Sequence, residues 1–77
     1  MNKKRRAELT AIAESLEKLH NRDEACKDEE EDYLNNIPEN LQGSDKYDQA
    51  DANVDSLNAV LSSLEEAANE LDEVINN

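Results

Sequence analysis

Apolar residues recur along this chain at alternating steps of three and four. Leu9, Ile12, Leu16, Leu19, Asp23, Cys26, Glu30, Tyr33 and Ile37 keep that rhythm without a slip. They form a heptad seam in which two acids, Asp23 and Glu30, stand where core residues belong. In heptad notation Leu9, Leu16, Asp23 and Glu30 are a positions, and Ile12, Leu19, Cys26 and Tyr33 are d positions. The rhythm returns as Tyr47, Ala50, Val54, Leu57, Leu61, Leu64, Ala68, Leu71 and Ile75, now with no charged member. Alternation of period two is absent and Ala, Glu, Leu and Lys are frequent, so the pattern predicts helices and excludes strands. Asn21-Arg22-Asp23-Glu24 matches a capping box that would divide the first helix. The heptad phase is not reset there, and one helix is expected.

The segment NNIPENLQGS, residues 35–44, holds the only Pro and the only Gly. Ile37 precedes Pro38 and is biased away from helical angles, Gly43 can take a left-handed conformation, and Ser44 is a good N-cap for a second helix. Residues 38–42 have room for one extra helical turn. So short a link folds two helices back antiparallel. Pairing a with d across the hairpin sets Leu9 against Leu71, Ile12 against Ala68, Leu16 against Leu64, Leu19 against Leu61, Cys26 against Val54 and Tyr33 against Tyr47. The two numbers in every pair give the same total, as one continuous antiparallel seam requires. The expected fold is therefore all-α: an antiparallel two-helix coiled-coil hairpin filling residues 1–77, with helix one over about 3–35, the turn over 36–44 and helix two over about 45–76. Each helix would be roughly 45 Å long. Val60, Ala67 and Val74 add an apolar stripe at g positions of helix two, which widens its apolar face and leaves room for self-association into a four-helix bundle. Covering of this stripe by neighbouring side chains within the monomer is the other reading.

Composition narrows the function classes. Seventy-seven residues with 36% apolar content, two Tyr and no Trp or Phe supply a narrow seam and no globular core. Eight Lys and Arg against 20 Asp and Glu give a net charge of −12. Nucleic acid and anionic membranes would repel such a chain, so no direct nucleic-acid binding and no membrane association are expected, and the natural partners are basic proteins. The longest early apolar run, Ala11-Ile12-Ala13, is too short for a signal-peptide core or a membrane span. With one cysteine, Cys26, no internal disulfide forms, which suits the cytoplasm.

The charge is unevenly spread. Residues 1–22 carry six bases and three acids, with Lys3, Lys4, Arg5 and Arg6 expected beside Glu70, Asp72 and Glu73 at the end of helix two. The turn end is acidic: Asp23, Glu24, Asp28, Glu29, Glu30, Glu31 and Asp32 on one helix lie across from Asp45, Asp48, Asp51 and Asp55 on the other, with only Lys27 and Lys46 among them. Two carboxylates on the seam must reach water or pair with Arg22 or Lys27, and the turn half is expected to be the looser half. A solvated, solubilising face is the ordinary meaning of a charge run. Acids on the seam itself go beyond that need and mark this pole as a candidate partner-binding surface.

Other chemistry is poorly supplied. Neither DEACKDEEEDYL nor DKYDQADANVDS has the sixth-position Gly of a calcium loop, and His20 stands six residues from Cys26 with no further His or Cys to make a zinc site. A two-helix seam offers no pocket in which a carboxylate or thiol is tuned for catalysis. No enzymatic activity, cofactor, metal or catalytic residue is expected. His20 reads as a flanking surface residue, and Cys26 as a small core hydrophobe.

In Tyr33, Pro38-Glu39-Asn40-Leu41-Gln42, Ser44 and Tyr47, followed by the acidic heptads, the chain resembles a group of small acidic helical-hairpin proteins encoded by bacterial phages and prophages. The resemblance implies the cytoplasm of a bacterial host and a likeness, in charge, to inhibitors that occupy the nucleic-acid-binding surface of a host enzyme. Asp48, Asp51 and Asp55, one turn apart, give carboxylate spacings of about 5–6 Å, comparable with successive phosphates. The expected function is that of a nucleic-acid-mimic inhibitor, for example of a defence nuclease or a DNA-repair enzyme. The alternative is a structural or adaptor hairpin that self-associates or binds a partner helix through Val60, Ala67 and Val74.

Overall fold

The computed structural model describes residues 1–77 and consists of two long helices, α1 (Lys3–Asn35) and α2 (Asp45–Ile75), with a single 3-10 turn at Glu39–Leu41 between them. The helices pack against each other along a rod of 60 × 14 × 13 Å. There is no break at Asn21. Asn2 starts α1: its Oδ1 accepts the Arg5 N–H at 2.7 Å. Ser44 starts α2 in the same way, its Oγ accepting the Tyr47 N–H at 3.3 Å, which satisfies one of the unpaired donors of a helix N-terminus.

Proline and backbone hydrogen bonds shape the turn. Asn36 closes α1, with both its backbone N–H and its side-chain amide donating to the Asp32 carbonyl. Pro38 is extended at φ −57, ψ 145, and its carbonyl accepts from Leu41 at 2.8 Å. The Ser44 N–H then donates to the Leu41 carbonyl at 3.0 Å. Gly43 does not use the left-handed region expected of it, because the 3-10 turn already reverses the chain at negative φ. A Cβ at Gly43 would meet nothing within 4 Å.

One interhelical contact joins the e row of α1 to the e row of α2 and marks one flank of the hairpin. His20 Nε2 and Glu65 Oε1 lie 3.0 Å apart, and Leu16 and Leu64 line the same groove.

The face of α1 is not the one its apolar spacing suggests. Ile12, Leu19 and Tyr33, all expected in the seam, are 41%, 47% and 49% exposed, and Cys26, expected as a core hydrophobe, is exposed as well. The covered positions are Leu9, Ala13, Leu16, His20, Asp23, Lys27, Glu30, Leu34 and Ile37, with Glu31, held by Lys27, partly covered beside them. That set also steps by three and four, but it joins the a positions to the e positions, turning α1 by roughly 50° about its axis. Two helices alone cover one stripe each, and α1 has apolar or amphipathic residues on both sides of its a row. The e side brings small Ala13 to the interface, bonds His20 to Glu65 and lays the methylenes of Lys27 against the hairpin while Nζ stays with carboxylates. The d side is left to solvent. On α2 the expected row from Tyr47 to Ile75 faces inward throughout. Only Ala50, 2% exposed, and Val54, 9%, are buried, so every other layer retains part of its contact with water.

Candidate protein-interaction site

The eleven acids named as a pole gather around the turn end, on both helices. Glu24, Asp28, Glu29, Asp32, Asp45, Asp48, Asp51 and Asp55 are exposed, while Asp23, Glu30 and Glu31 are half-buried. Lys27 is the only cation there with ion pairs, to Asp28 at 2.7 Å and Glu31 at 3.4 Å. The hydrogen bond that Lys27 Nζ donates to Asp28 holds its ammonium above its ordinary pKa; desolvation of the charge opposes this, and the attraction of both carboxylates adds to it. Arg22 and Lys46 pair with no acid. The neighbourhood therefore stays strongly negative, since one exposed pair contributes little against so many charges.

Asp23 takes neither of the two partners open to it. Its Oδ2 is shielded from water and makes no hydrogen bond, because Lys27 is engaged with Asp28 and Glu31. Glu30 instead reaches a small groove of about 180 Å³ beside Tyr33, Lys46, Gln49, Ala50 and Asn53.

Helix direction divides the acids further. Asp45 and Asp48 lie in the first turn of α2, where the positive end of the helix dipole favours them. The acids of α1 crowd toward its C-terminus, whose last turn has no basic residue. There the dipole opposes them, by about 0.3–1 kcal/mol for a charge in the final turn.

At the opposite end Lys3, Lys4, Arg5 and Arg6 make no ion pair, so the expected pairing with Glu70, Asp72 and Glu73 does not form. An open groove of about 680 Å³ runs along the terminal half, lined by Leu16, Leu64 and Ala68 at its floor and by Glu14, Glu17, Glu65 and Asp72 at its rim.

Val60 and Val74 are 43% and 44% exposed, and Ala67 is half-buried. The small groove at Glu30 shows which residues accompany them, because it joins Tyr33, a d residue of α1, to Lys46 and Asn53, in the g row of α2. The d row of α1 and the g row of α2 thus share one flank, with the His20–Glu65 bond on the other. Spacing alone did not reveal this apolar flank, since both phases of α1 satisfy it; the signal was the extra width of α2 at Val60, Ala67 and Val74.

No three or more His, Cys, Asp or Glu side chains converge on a point that could hold a metal ion. No helix is long and apolar enough to cross a membrane. No family model, curated protein or solved structure matches the chain.

Proposed function

We propose that this chain is a non-enzymatic binding protein whose acidic turn end occupies the basic, nucleic-acid-binding surface of a protein in the bacterial cytoplasm, as a phage-encoded inhibitor of a defence nuclease or repair enzyme would. The observation that carries the reading is the placement of exposed carboxylates on both helices of one pole with a single cation paired among them. Those on α1 sit at the helix end where stability alone would favour Lys or Arg. Acids at one-turn intervals along both helices offer a basic groove a charge spacing comparable with that of successive phosphates.

Competition for immobilised heparin, across a panel of DNA- and RNA-binding enzymes, tests the reading. A true target is released from heparin by the wild-type chain, and its complex weakens steeply as salt rises from 0.05 to 0.5 M, because ions screen opposed charges over about 10 Å at 0.1 M. Glu29→Gln, Glu31→Gln, Asp48→Asn and Asp51→Asn together keep the helix content and lose the target, with the association rate most affected. Undiminished binding by that variant, equally strong in high salt, would refute charge mimicry.

A further inference from the structure

A compact chain of 8.7 kDa exposes about 4,700 Å², whereas this hairpin exposes 5859 Å². The excess of roughly 1,100 Å² resembles the area of about 800 Å² that each partner gives up in a standard protein interface. It is accompanied by a defined apolar surface. Ile12, Leu19 and Tyr33 project from α1 and Val60 and Val74 from α2, each more than two-fifths exposed and all on the flank opposite the His20–Glu65 bond. Monomeric proteins seldom leave such a row of large apolar side chains in water.

Charge selects what covers it. Residues 23–55 hold twelve acids against Lys27 and Lys46, while the other end of the rod begins with Lys3, Lys4, Arg5 and Arg6, none of them ion-paired. A second copy laid parallel would bring the two acidic poles together. A copy laid antiparallel sets the basic cluster of each chain beside the acidic turn of the other, and the two-fold axis then crosses the flank near the middle of the rod. Leu19 and Val60 are the midpoints of α1 and α2, and with the axis across them Ile12 of one copy approaches the partner's Cys26 while Tyr33 approaches the partner's Arg5. Such a contact is isologous and closes on itself.

We propose that the chain is an antiparallel homodimer, a four-helix assembly formed through the d row of α1 and the g row of α2 with its centre at Leu19 and Val60. This goes beyond the docking role of the acidic pole and is independent of it. The basic cluster of the partner neutralises only one flank of each turn, so the dimer carries an acidic end at both extremities of the rod.

Sedimentation equilibrium on the full chain, together with thermal melts over a hundredfold range of concentration, tests the proposal. The expected mass is twice 8.7 kDa, with a melting temperature that rises with concentration, as linked folding and association require. Leu19→Glu and Val60→Glu, substitutions at exposed positions, should each weaken association at least tenfold; Lys3→Glu with Arg6→Glu should weaken it severalfold and most at low salt. Orientation is read by oxidation. In a Cys26→Ser background, Leu19→Cys lies beside its own copy at the axis and forms a disulfide-linked dimer, whereas the native Cys26, displaced from the axis, does not. A chain that sediments at 8.7 kDa with a concentration-independent melt overturns the dimer. Ready cross-linking through native Cys26 overturns the antiparallel arrangement.

Discussion

The terminal half of the hairpin is rich in leucine and packs openly, whereas the acidic turn half contains the only two buried residues. Leu9, Leu16, Leu64 and Leu71 all face the seam, yet the groove between Ala68 and Leu16 is about 680 Å³. Ala50 and Val54, by contrast, face α1 where Asp23, Lys27 and Glu30 occupy its inner row, and they are 2% and 9% exposed. The sequence-based expectation was a looser turn half, and burial runs the other way. Apolar content and closeness of packing are separable: a small residue opposite long amphipathic stems is covered by their methylenes, while leucines separated by alanines at Ala13 and Ala68 leave a channel. The turn half achieves its burial at an electrostatic cost, visible in Asp23 Oδ2.

That cost can be removed to break the comparison. Asp23→Leu with Glu30→Leu deletes an unpartnered oxygen, relieves crowding of like charge and adds apolar contact opposite α2. Stabilisation of about 3 kcal/mol is expected, or roughly 12–24 °C in melting temperature for a chain of this size. Differential scanning calorimetry at low concentration measures it. No change would mean that Asp23 finds water or a cation in solution. If the stabilised variant also loses its protein target, the two acids belong to the binding surface.

The difference in packing is sharpened by adding the same bulk to each half. Ala50→Leu forces three extra heavy atoms into a site that is 2% exposed and should destabilise by about 1–3 kcal/mol. Ala68→Leu puts them into the open groove and should be neutral or stabilising by up to about 1 kcal/mol. Urea melts of the two variants decide it. Equal losses would show that the groove closes in solution and that both halves pack alike.

Much of this architecture was legible in the sequence. Pro38 and the Ser44 cap define an antiparallel hairpin, and the inward row of α2 was readable because all of it is uncharged. The expected pairs of Ile12, Leu19, Cys26 and Tyr33 do not form, because those four residues face solvent. The rotation of α1 was not. Its a/d and a/e sets have the same three-four spacing, and what separates them is a tertiary balance: the His20–Glu65 bond and the stem of Lys27 against the burial of Ile12, Leu19 and Tyr33. The acids of the candidate site were plain in composition, but their unequal standing was hidden. Asp28 and Glu31 compete for Lys27 and leave Asp23 alone, and that depends on side-chain reach across one helical turn. Gly43 was over-read, since a glycine in a turn has an ordinary negative φ whenever hydrogen bonds such as that from Ser44 to Leu41 already reverse the chain.

The smallest effect separates the two helices within the acidic pole. Asp32 lies in the last turn of α1 and Asp45 in the first turn of α2; both are exposed, and neither has an ion pair. If crowding of like charge were the only force, removing either charge would stabilise the hairpin alike. The helix dipole adds a term of opposite sign at the two sites, about 0.3–1 kcal/mol each at low salt. Asp32→Asn should therefore stabilise, because repulsion and an unfavourable dipole contact are lost together. Asp45→Asn should be neutral or destabilising, because relief of repulsion is offset by loss of a favourable contact. Chemical denaturation of both variants in 0.02 M and 0.5 M salt measures the gap, which should shrink as ions screen both terms. A gap of the reverse sign, or one that survives high salt, would show that the order within the pole comes from local hydrogen bonding and not from helix direction.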